Sequence, residues 1–111
     1  MNSIPLPGRP VRGSTTGRPV MALLDLLGRR WLLRVVWELR GDPLPFRALQ
    51  DACGGVSASV LRDRLAELRE AKLVEHIPGA GYRLTPLGRG LLDAFDPLLR
   101  WSEEWGAAFN D

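Results

Sequence analysis

One segment of the chain, Ala58 to Ala71, places hydrogen-bonding side chains and arginines on a single helical face. Leucines recur every three or four residues on the opposite face, so the segment predicts an amphipathic helix that Ser57 caps. The residues available for chemistry lie at its beginning and are Ser57, Ala58, Ser59, Arg62, Asp63 and Arg64. A guanidinium can donate two hydrogen bonds to guanine, and a hydroxyl can bond a base or a phosphate. We therefore expect this face to contact nucleic acid; the alternative is an ordinary solvated helix face.

Two of these residues allow more than one interpretation. Asp63 is unfavourable beside phosphate, so it either selects a cytosine amino group or holds Arg62 or a neighbouring arginine in place. Arg64 lies nearer the buried stripe, where a phosphate contact and an internal bond to Glu67 or Asp51 are both compatible with the pattern. Their surroundings in the fold decide between these roles.

Further basic residues stand at predicted element ends, where they could face a duplex backbone. They are Arg29, Arg30, Arg47, His76 and Arg83. As a set they predict a phosphate track, whose signature is an affinity that falls steeply with salt. The formal net charge is +2, but residues 91–111 hold one arginine against five acidic residues. A basic body with an acidic end suits a polyanion-binding surface kept apart from a second surface, and scattered charge without function is the alternative.

Enzymatic, metal and membrane functions find little support in the residues. The single thiol, Cys53, cannot close an internal disulfide and is most simply a small packed residue, with a sensing role as the alternative. His76 has no partner at metal-ligand spacing, so neither a metal nor another cofactor is expected. No glycine loop stands at a strand-to-helix turn, and no apolar run reaches the roughly 18 residues of a membrane span. Because the N-terminus also lacks a signal-like apolar core, we expect a non-enzymatic, cytoplasmic protein without a membrane partner.

The hydrophobic pattern of the 111 residues predicts one core built from five helices and a hairpin. The predicted helices cover residues 19–27, 29–39, 46–53 and 58–71, with a fifth from residue 86 that is bent or restarted at Asp96-Pro97. Residues 73–77 and 82–85 have strand character around a turn. A glycine turn between the third and fourth helices, followed by a hairpin, predicts a winged helix-turn-helix, mainly α with a small two-stranded β-hairpin. In that arrangement the fourth helix enters the major groove with its N-terminal residues.

The first 17 residues differ in composition from the rest of the chain. They contain proline or glycine at six positions and offer almost nothing to bury. We expect a flexible, basic arm over residues 1–17, ahead of a winged helix-turn-helix domain over residues 18–111. An unstructured leader is the favoured interpretation, and an arm that reaches into a minor groove is the alternative.

The last helix carries an apolar stripe at spacings of three and four residues. Its members are Leu98, Trp101, Trp105 and Phe109. This is a large apolar surface for the terminal helix of a small monomer, so it predicts a homodimer in which the stripe packs against Leu23 and Leu27 of the first helix. Burial within the same chain is the alternative. The aromatic side chains could also line a pocket for a small-molecule effector between the subunits.

Several sequence runs occur in the order and approximate spacing of a known family. Among them are Gly28-x-x-Trp31, the segment from Ser57 to Leu68, and the run Tyr82-x-Leu84-Thr85-x-Leu87-Gly88. Over about residues 18–109 the chain resembles the HxlR-type bacterial transcriptional regulators. The resemblance implies a homodimeric winged helix-turn-helix regulator whose first and last helices form the dimer interface, with two recognition helices reading a palindromic operator in double-stranded DNA.

Two positions depart from the family pattern. Many members carry a cysteine immediately before the first helix, used in some to sense electrophiles or oxidants, and Arg18 stands there in this chain. The hairpin tip, Pro78 to Gly81, is short and uncharged, which predicts a weak contact between the wing and DNA. We expect a sequence-specific DNA-binding regulator; the alternative is a winged-helix protein-interaction module without specific DNA binding.

Overall fold

The computed structural model describes residues 4–110 and shows five α-helices and a two-stranded antiparallel sheet along them. In chain order the elements are α1 Pro19–Leu27, α2 Leu32–Glu38, α3 Phe46–Cys53, α4 Ala58–Glu70, β1 Val74–Ile77, β2 Gly81–Leu84 and α5 Pro86–Ala107. The predicted fold class, mainly α with one small hairpin, is confirmed. Within this described part of the chain, no helix is both long and apolar enough to span a bilayer.

Side-chain caps and a turn glycine define the ends of the helices that matter for the site. Ser57 caps α4 by accepting a hydrogen bond from the amide of Val60 at 3.2 Å. Thr85 caps α5 in the same way, accepting from the amide of Gly88 at 3.0 Å. α3 ends at Gly54, whose φ of +74° is a left-handed conformation that favours glycine. These are local signals, which is why the sequence pattern located the same boundaries.

The core is built around α2, which contacts α1, α3, α4 and α5. The buried side chains of α2 are Leu32, Val35 and Val36, and Leu39 at the C-cap is buried as well. α4 contributes three buried leucines from one face, Leu61, Leu65 and Leu68. Fully burying a leucine contributes about 1.5 to 3 kcal/mol, so this stripe fixes the rotation of α4 about its own axis. The polar face of α4 is consequently directed to solvent.

A short segment between α2 and α3 attaches the hairpin to the helices. β1 and β2 pair antiparallel, with Val74 opposite Leu84. Leu44, between α2 and α3, exchanges two backbone hydrogen bonds with Tyr82, with N···O distances of 2.9 and 2.8 Å. Gly81 permits this approach because its φ is +109° and a Cβ there would lie 2.3 Å from the Leu44 carbonyl oxygen. The hairpin is therefore fixed relative to α3 and α4.

Two features of the elements differ from the prediction by more than one residue. α2 begins at Leu32 rather than at Arg29, because Trp31 has a left-handed backbone, φ +74°, at the end of the turn that follows α1. α5 is not restarted at Asp96-Pro97 but continues through this proline. Proline removes one amide donor from a helix, and the exposed position of Pro97 leaves water able to replace it.

Residues 4–17 fold against the domain, in contrast to the predicted flexible arm. Ile4 is 6% exposed and Pro5 is buried, while the amide of Gly8 donates to the carbonyl of Gly17 at 2.9 Å. Gly17 permits this closure because a Cβ there would lie 2.1 Å from the carbonyl oxygen of Arg9. The prolines and glycines that predicted flexibility instead allow a tight chain reversal. Residues 1–3 of the predicted arm lie outside the described residues.

Candidate nucleic-acid interface

The first two turns of α4 present the predicted polar face to solvent. Ser57, Ser59, Arg62 and Asp63 are exposed, and Ala58 is half-buried. The Ser57 and Ser59 hydroxyl oxygens are 3.4 Å apart, and Ser57 also caps the helix. The structure thus brings five of the six predicted base-proximal residues together at the exposed beginning of one helix.

Arg62 is held by an aromatic ring rather than by an acid. Its guanidinium lies 5.8 Å from the centroid of the Phe46 ring, at the start of α3, and within residues 4–110 no acidic side chain forms a salt bridge with it. The same set of ion pairs over the described chain does not include Asp63, so the alternative in which Asp63 holds Arg62 is not seen. Phe46 adjoins Arg47, so the contact also brings the exposed Arg47 to this region. Both the Arg62 and the Asp63 side chains remain available to a ligand.

Arg64, the sixth predicted base-proximal residue, has an internal role. Its Nη1 donates to Oε1 of Glu67, and its side chain is only 17% exposed. The other carboxylate oxygen of Glu67 accepts from Nη1 of Arg29 at 2.8 Å. One carboxylate therefore joins α4 to the turn before α2 and pairs with two arginines that the sequence predicted at the DNA surface, which leaves the trio a net charge of +1. Of the alternatives for Arg64, the bond to Glu67 is the one observed.

The remaining predicted phosphate contacts fall into two groups. Arg30 and Arg47 are exposed, and no carboxylate of residues 4–110 lies within ion-pair distance of either. Arg83 is opposite Glu75 in the hairpin and donates to its carboxylate at 2.7 and 2.9 Å, so its charge is compensated. His76 is exposed and its ring lies 4.9 Å from the Tyr82 ring.

Arg69 is a basic residue that the sequence reasoning missed. It is exposed in the last turn of α4 and has no salt-bridge partner among residues 4–110. Its position seven residues after Arg62, about two helical turns, is the signal that could have identified it.

Exposed apolar side chains also lie on α1 and along the end of α5. Every residue from 101 to 110 is exposed, although Trp101, Trp105 and Phe109 are among them. The two tryptophan rings stack at 6.1 Å, and Trp105 meets Phe109 edge to face at 5.6 Å. Leu98 on the preceding turn is 52% exposed. The alternative of burial within the same chain therefore does not describe this stripe.

The exposed apolar residues of α1 are not the two that the sequence analysis named. Leu27 packs against the core of its own chain, and Leu23 is half-buried. The exposed apolar residues of α1 are Val20 and Leu24, which are 52% and 57% exposed. Leu23 and Leu27 are thus partly covered by their own chain, and their place in a dimer interface stays a prediction.

Cys53 is buried at the end of α3, as the small packed residue of the sequence prediction. Burial raises the pKa of its thiol, the carboxylate of Glu38 raises it further, and Arg34 acts in the opposite direction. The thiol consequently stays protonated and screened from reagents. Over residues 4–110 no cluster of three or more metal-ligating side chains occurs.

A capped helix presented after a short turn, with an anchored hairpin beside it, defines a winged helix-turn-helix protein. The chain belongs to the HxlR-like helix-turn-helix family, whose pattern matches residues 26–109. The family resemblance noted in the sequence is thereby confirmed.

Its relatives are regulators of transcription. The chain is 30% identical over 88 residues to YvaP of Bacillus subtilis strain 168, an HTH-type transcriptional regulator, which covers 74% of this chain and 82% of YvaP. It is 26% identical over 99 residues to the regulator YodB of the same organism, covering 84% of this chain and 88% of YodB. The crystal structure of quinone-bound YodB superposes with a TM-score of 0.72 at 27% identity, over 77% of this chain and 96% of that chain. The chain is accordingly a member of a family of transcriptional regulators.

Proposed function

We propose that this chain binds a specific double-stranded DNA sequence through the beginning of α4 and thereby regulates transcription. The observation that carries the proposal is the exposed face of Ser59, Arg62 and Asp63, presented while the opposite face of α4 is fixed in the core. The major groove admits an α-helix, and there Arg62 can donate two hydrogen bonds to guanine. Asp63 can accept one from a cytosine amino group, which gives a negative residue a favourable place beside a polyanion.

We assign phosphate contacts to three exposed arginines, Arg30, Arg47 and Arg69. None of them has an acidic partner within the described chain. Arg29 and Arg64 are left out because both side chains are engaged by Glu67 and are mostly buried. The wing contributes less, since Arg83 is paired with Glu75 and His76 is its remaining basic candidate.

The regulator acts as a homodimer that reads a palindromic operator. Support comes from the apolar surface of α1 and α5, where Val20, Leu24, Leu98 and the three aromatic residues are all at least half exposed. Exposed aromatic surface of this extent is rare on a monomer and typical of subunit interfaces. A two-fold dimer repeats α4 in inverted orientation, so we expect two half-sites about one helical turn, or a multiple of it, apart.

A small-molecule effector completes the proposal. The relative YodB has been crystallised with a quinone bound. In this chain Arg18 precedes α1, and the single thiol, Cys53, is buried. An effector of this protein therefore binds without forming a bond to sulfur.

Selection from a random duplex library, followed by fluorescence anisotropy on the enriched site and a scrambled duplex, tests the DNA proposal. We expect an inverted repeat, an affinity difference of several kcal/mol between the two duplexes, and a steep fall of affinity with salt. Arg62→Ala should lose about 1 to 3 kcal/mol per half-site. Arg100→Ala, which removes the same charge from the acidic end of the chain, is the matched control and should bind like wild type. Equal losses in both variants, or no enriched sequence, would contradict specific recognition.

The rival function, an interaction module without specific DNA binding, is separated by measuring the dimer with the same variants. Sedimentation equilibrium should show Arg62→Ala as a dimer that has lost DNA affinity. Trp105→Ala should dissociate more readily and lose DNA affinity as a consequence. A wild-type dimer that enriches no sequence would favour the interaction module.

A further inference from the structure

An apolar groove lies beneath the folded N-terminal segment. The lining residues numbered 5–23 precede the region that matches the family pattern, which begins at residue 26. We name this groove the arm groove: it is bounded by Pro5–Pro7, by α1 and by the beginning of α5, and its volume is about 320 Å³. Every residue that lines it is proline, leucine, alanine or glycine. Buried Ala22, Leu26 and Leu73 form part of the lining, and exposed Leu87 stands among the lining residues as well.

The wall formed by residues 5–7 is held in place by the rest of the arm. Burial of Ile4 and Pro5, the Gly8-to-Gly17 hydrogen bond and a 3.5 Å ion pair between Arg9 and Glu70 of α4 all hold it against the domain. The groove is therefore concave because of the segment ahead of α1.

The chemistry of the lining selects its occupant. Water inside the groove finds no polar side chain to bind, and a space of this volume left empty forfeits packing contacts on all its walls. The volume lies at the lower end of the range for small-molecule sites and is far below the space that a helix 10 to 12 Å across would need. We propose that the arm groove binds a neutral, apolar small molecule of two to three rings. This deepens the effector part of the proposed function, because α1 and α5 form both the groove and the proposed dimer surface.

One position of the groove can be filled without disturbing the backbone. Gly90 lies in α5 and lines the groove, its φ is not in the left-handed range, and a Cβ there would meet no atom within 4 Å. Gly90→Phe should therefore fold and occupy the groove with its own ring. Gly90→Ala is the matched control, because it brings the same relief of a helical glycine while leaving the groove open.

The test uses the full chain without DNA and two fluorescent probes that share the same rings. N-phenyl-1-naphthylamine is neutral, and 1-anilinonaphthalene-8-sulfonate adds a negative charge. We expect the neutral probe to saturate wild type and Gly90→Ala with equal affinity, to bind Gly90→Phe at least tenfold more weakly, and to bind at least tenfold more tightly than the sulfonate. Circular dichroism checks that each variant is folded. Should Gly90→Phe not fold, Leu87→Asp, which places a charge at an exposed lining position, should give the same loss.

Several results would overturn the inference. They are the absence of saturable binding, equal binding to Gly90→Phe, and preference for the sulfonate. If Gly90→Phe keeps the probe but loses the dimer in sedimentation, the groove is a subunit contact instead. Since no DNA is present, failure of this titration leaves the DNA-binding proposal intact, and failure of the operator selection leaves the titration valid.

Discussion

Arg62 and Arg64 are two residues apart in α4, and removing them should have different consequences. Loss of Arg62 should weaken DNA binding, and loss of Arg64 should lower stability. Arg62 is exposed, and its guanidinium lies 5.8 Å from the centroid of the Phe46 ring. An exposed cation–π contact contributes about 0.5 kcal/mol, and alanine regains a few tenths through its higher helix propensity. Arg62→Ala should therefore leave the free energy of unfolding within about 0.5 kcal/mol of wild type while it lowers DNA affinity.

Arg64→Ala should instead lower stability. It removes a charge-assisted hydrogen bond to Glu67 between side chains that are 17% and 14% exposed, worth about 1.5 to 3 kcal/mol. It also removes Nε of Arg64, a buried atom without a hydrogen-bond partner among the described residues, which offsets part of the loss. Glu67 keeps its bond to Arg29. The net expectation is a loss of about 1 to 2 kcal/mol.

Glu67→Ala completes the series, because it leaves Arg64 largely buried without its carboxylate and should cost about 2 to 4 kcal/mol. Urea denaturation followed by tryptophan fluorescence measures all three variants, at one protein concentration because dimer dissociation contributes to apparent stability. The predicted order of destabilisation is Glu67→Ala, then Arg64→Ala, then Arg62→Ala. If Arg62→Ala destabilises as much as Arg64→Ala, Arg62 is a structural residue and the assignment of the DNA-reading face is wrong.

Three further predictions concern the scaffold. Gly81→Ala should lower the free energy of unfolding by about 3 kcal/mol or more in thermal denaturation, because its φ is +109° and the added Cβ meets a carbonyl oxygen. Gly79→Ala, with φ +82° and open space, should lower it by only about 1 to 2 kcal/mol, and equal losses would refute the steric argument. Thr85→Ala should cost about 1 to 2 kcal/mol, because the hydroxyl both caps α5 and donates to a carbonyl at 2.7 Å, and a neutral result would show that the cap is dispensable. Cys53 should react with a thiol reagent only after unfolding. Its pKa is raised in the folded protein, so the stability that the protonated thiol contributes is present below the pKa of the unfolded chain and is lost as pH rises through the folded pKa. Fast labelling of the native protein at mildly alkaline pH would contradict its burial.

The fold could be predicted from the sequence because its signals are local. Ser57 and Thr85 both cap the helices that the pattern assigned to them, and Gly54 ends α3 where expected. The exception is the start of α2, where Trp31 adopts a left-handed backbone. A non-glycine residue rarely adopts this conformation, so no propensity argument would have shortened the helix there.

The site could be predicted only in part, because charge has to be located and then checked for pairing. Helical periodicity placed Arg62 and Asp63 on the exposed face correctly. It could not show that Arg29, 38 residues before Glu67, shares that carboxylate with Arg64. A count of arginines therefore overestimates the DNA surface, because two of them contribute to the attachment of α4 instead.

The N-terminal arm is a second case in which contacts distant in sequence decide the outcome. Its composition predicts a segment with nothing to bury, yet Ile4 and Pro5 are buried. The groove beside Pro5 is built from α1, from Leu73 and from α5, and these elements are up to about 85 residues away in the chain. A proline-rich segment loses little entropy when it is ordered, because its φ angles are already restricted, so a modest apolar contact can hold it. Whether such a segment is ordered therefore depends on the surface that faces it, and a local composition argument contains no information about that surface.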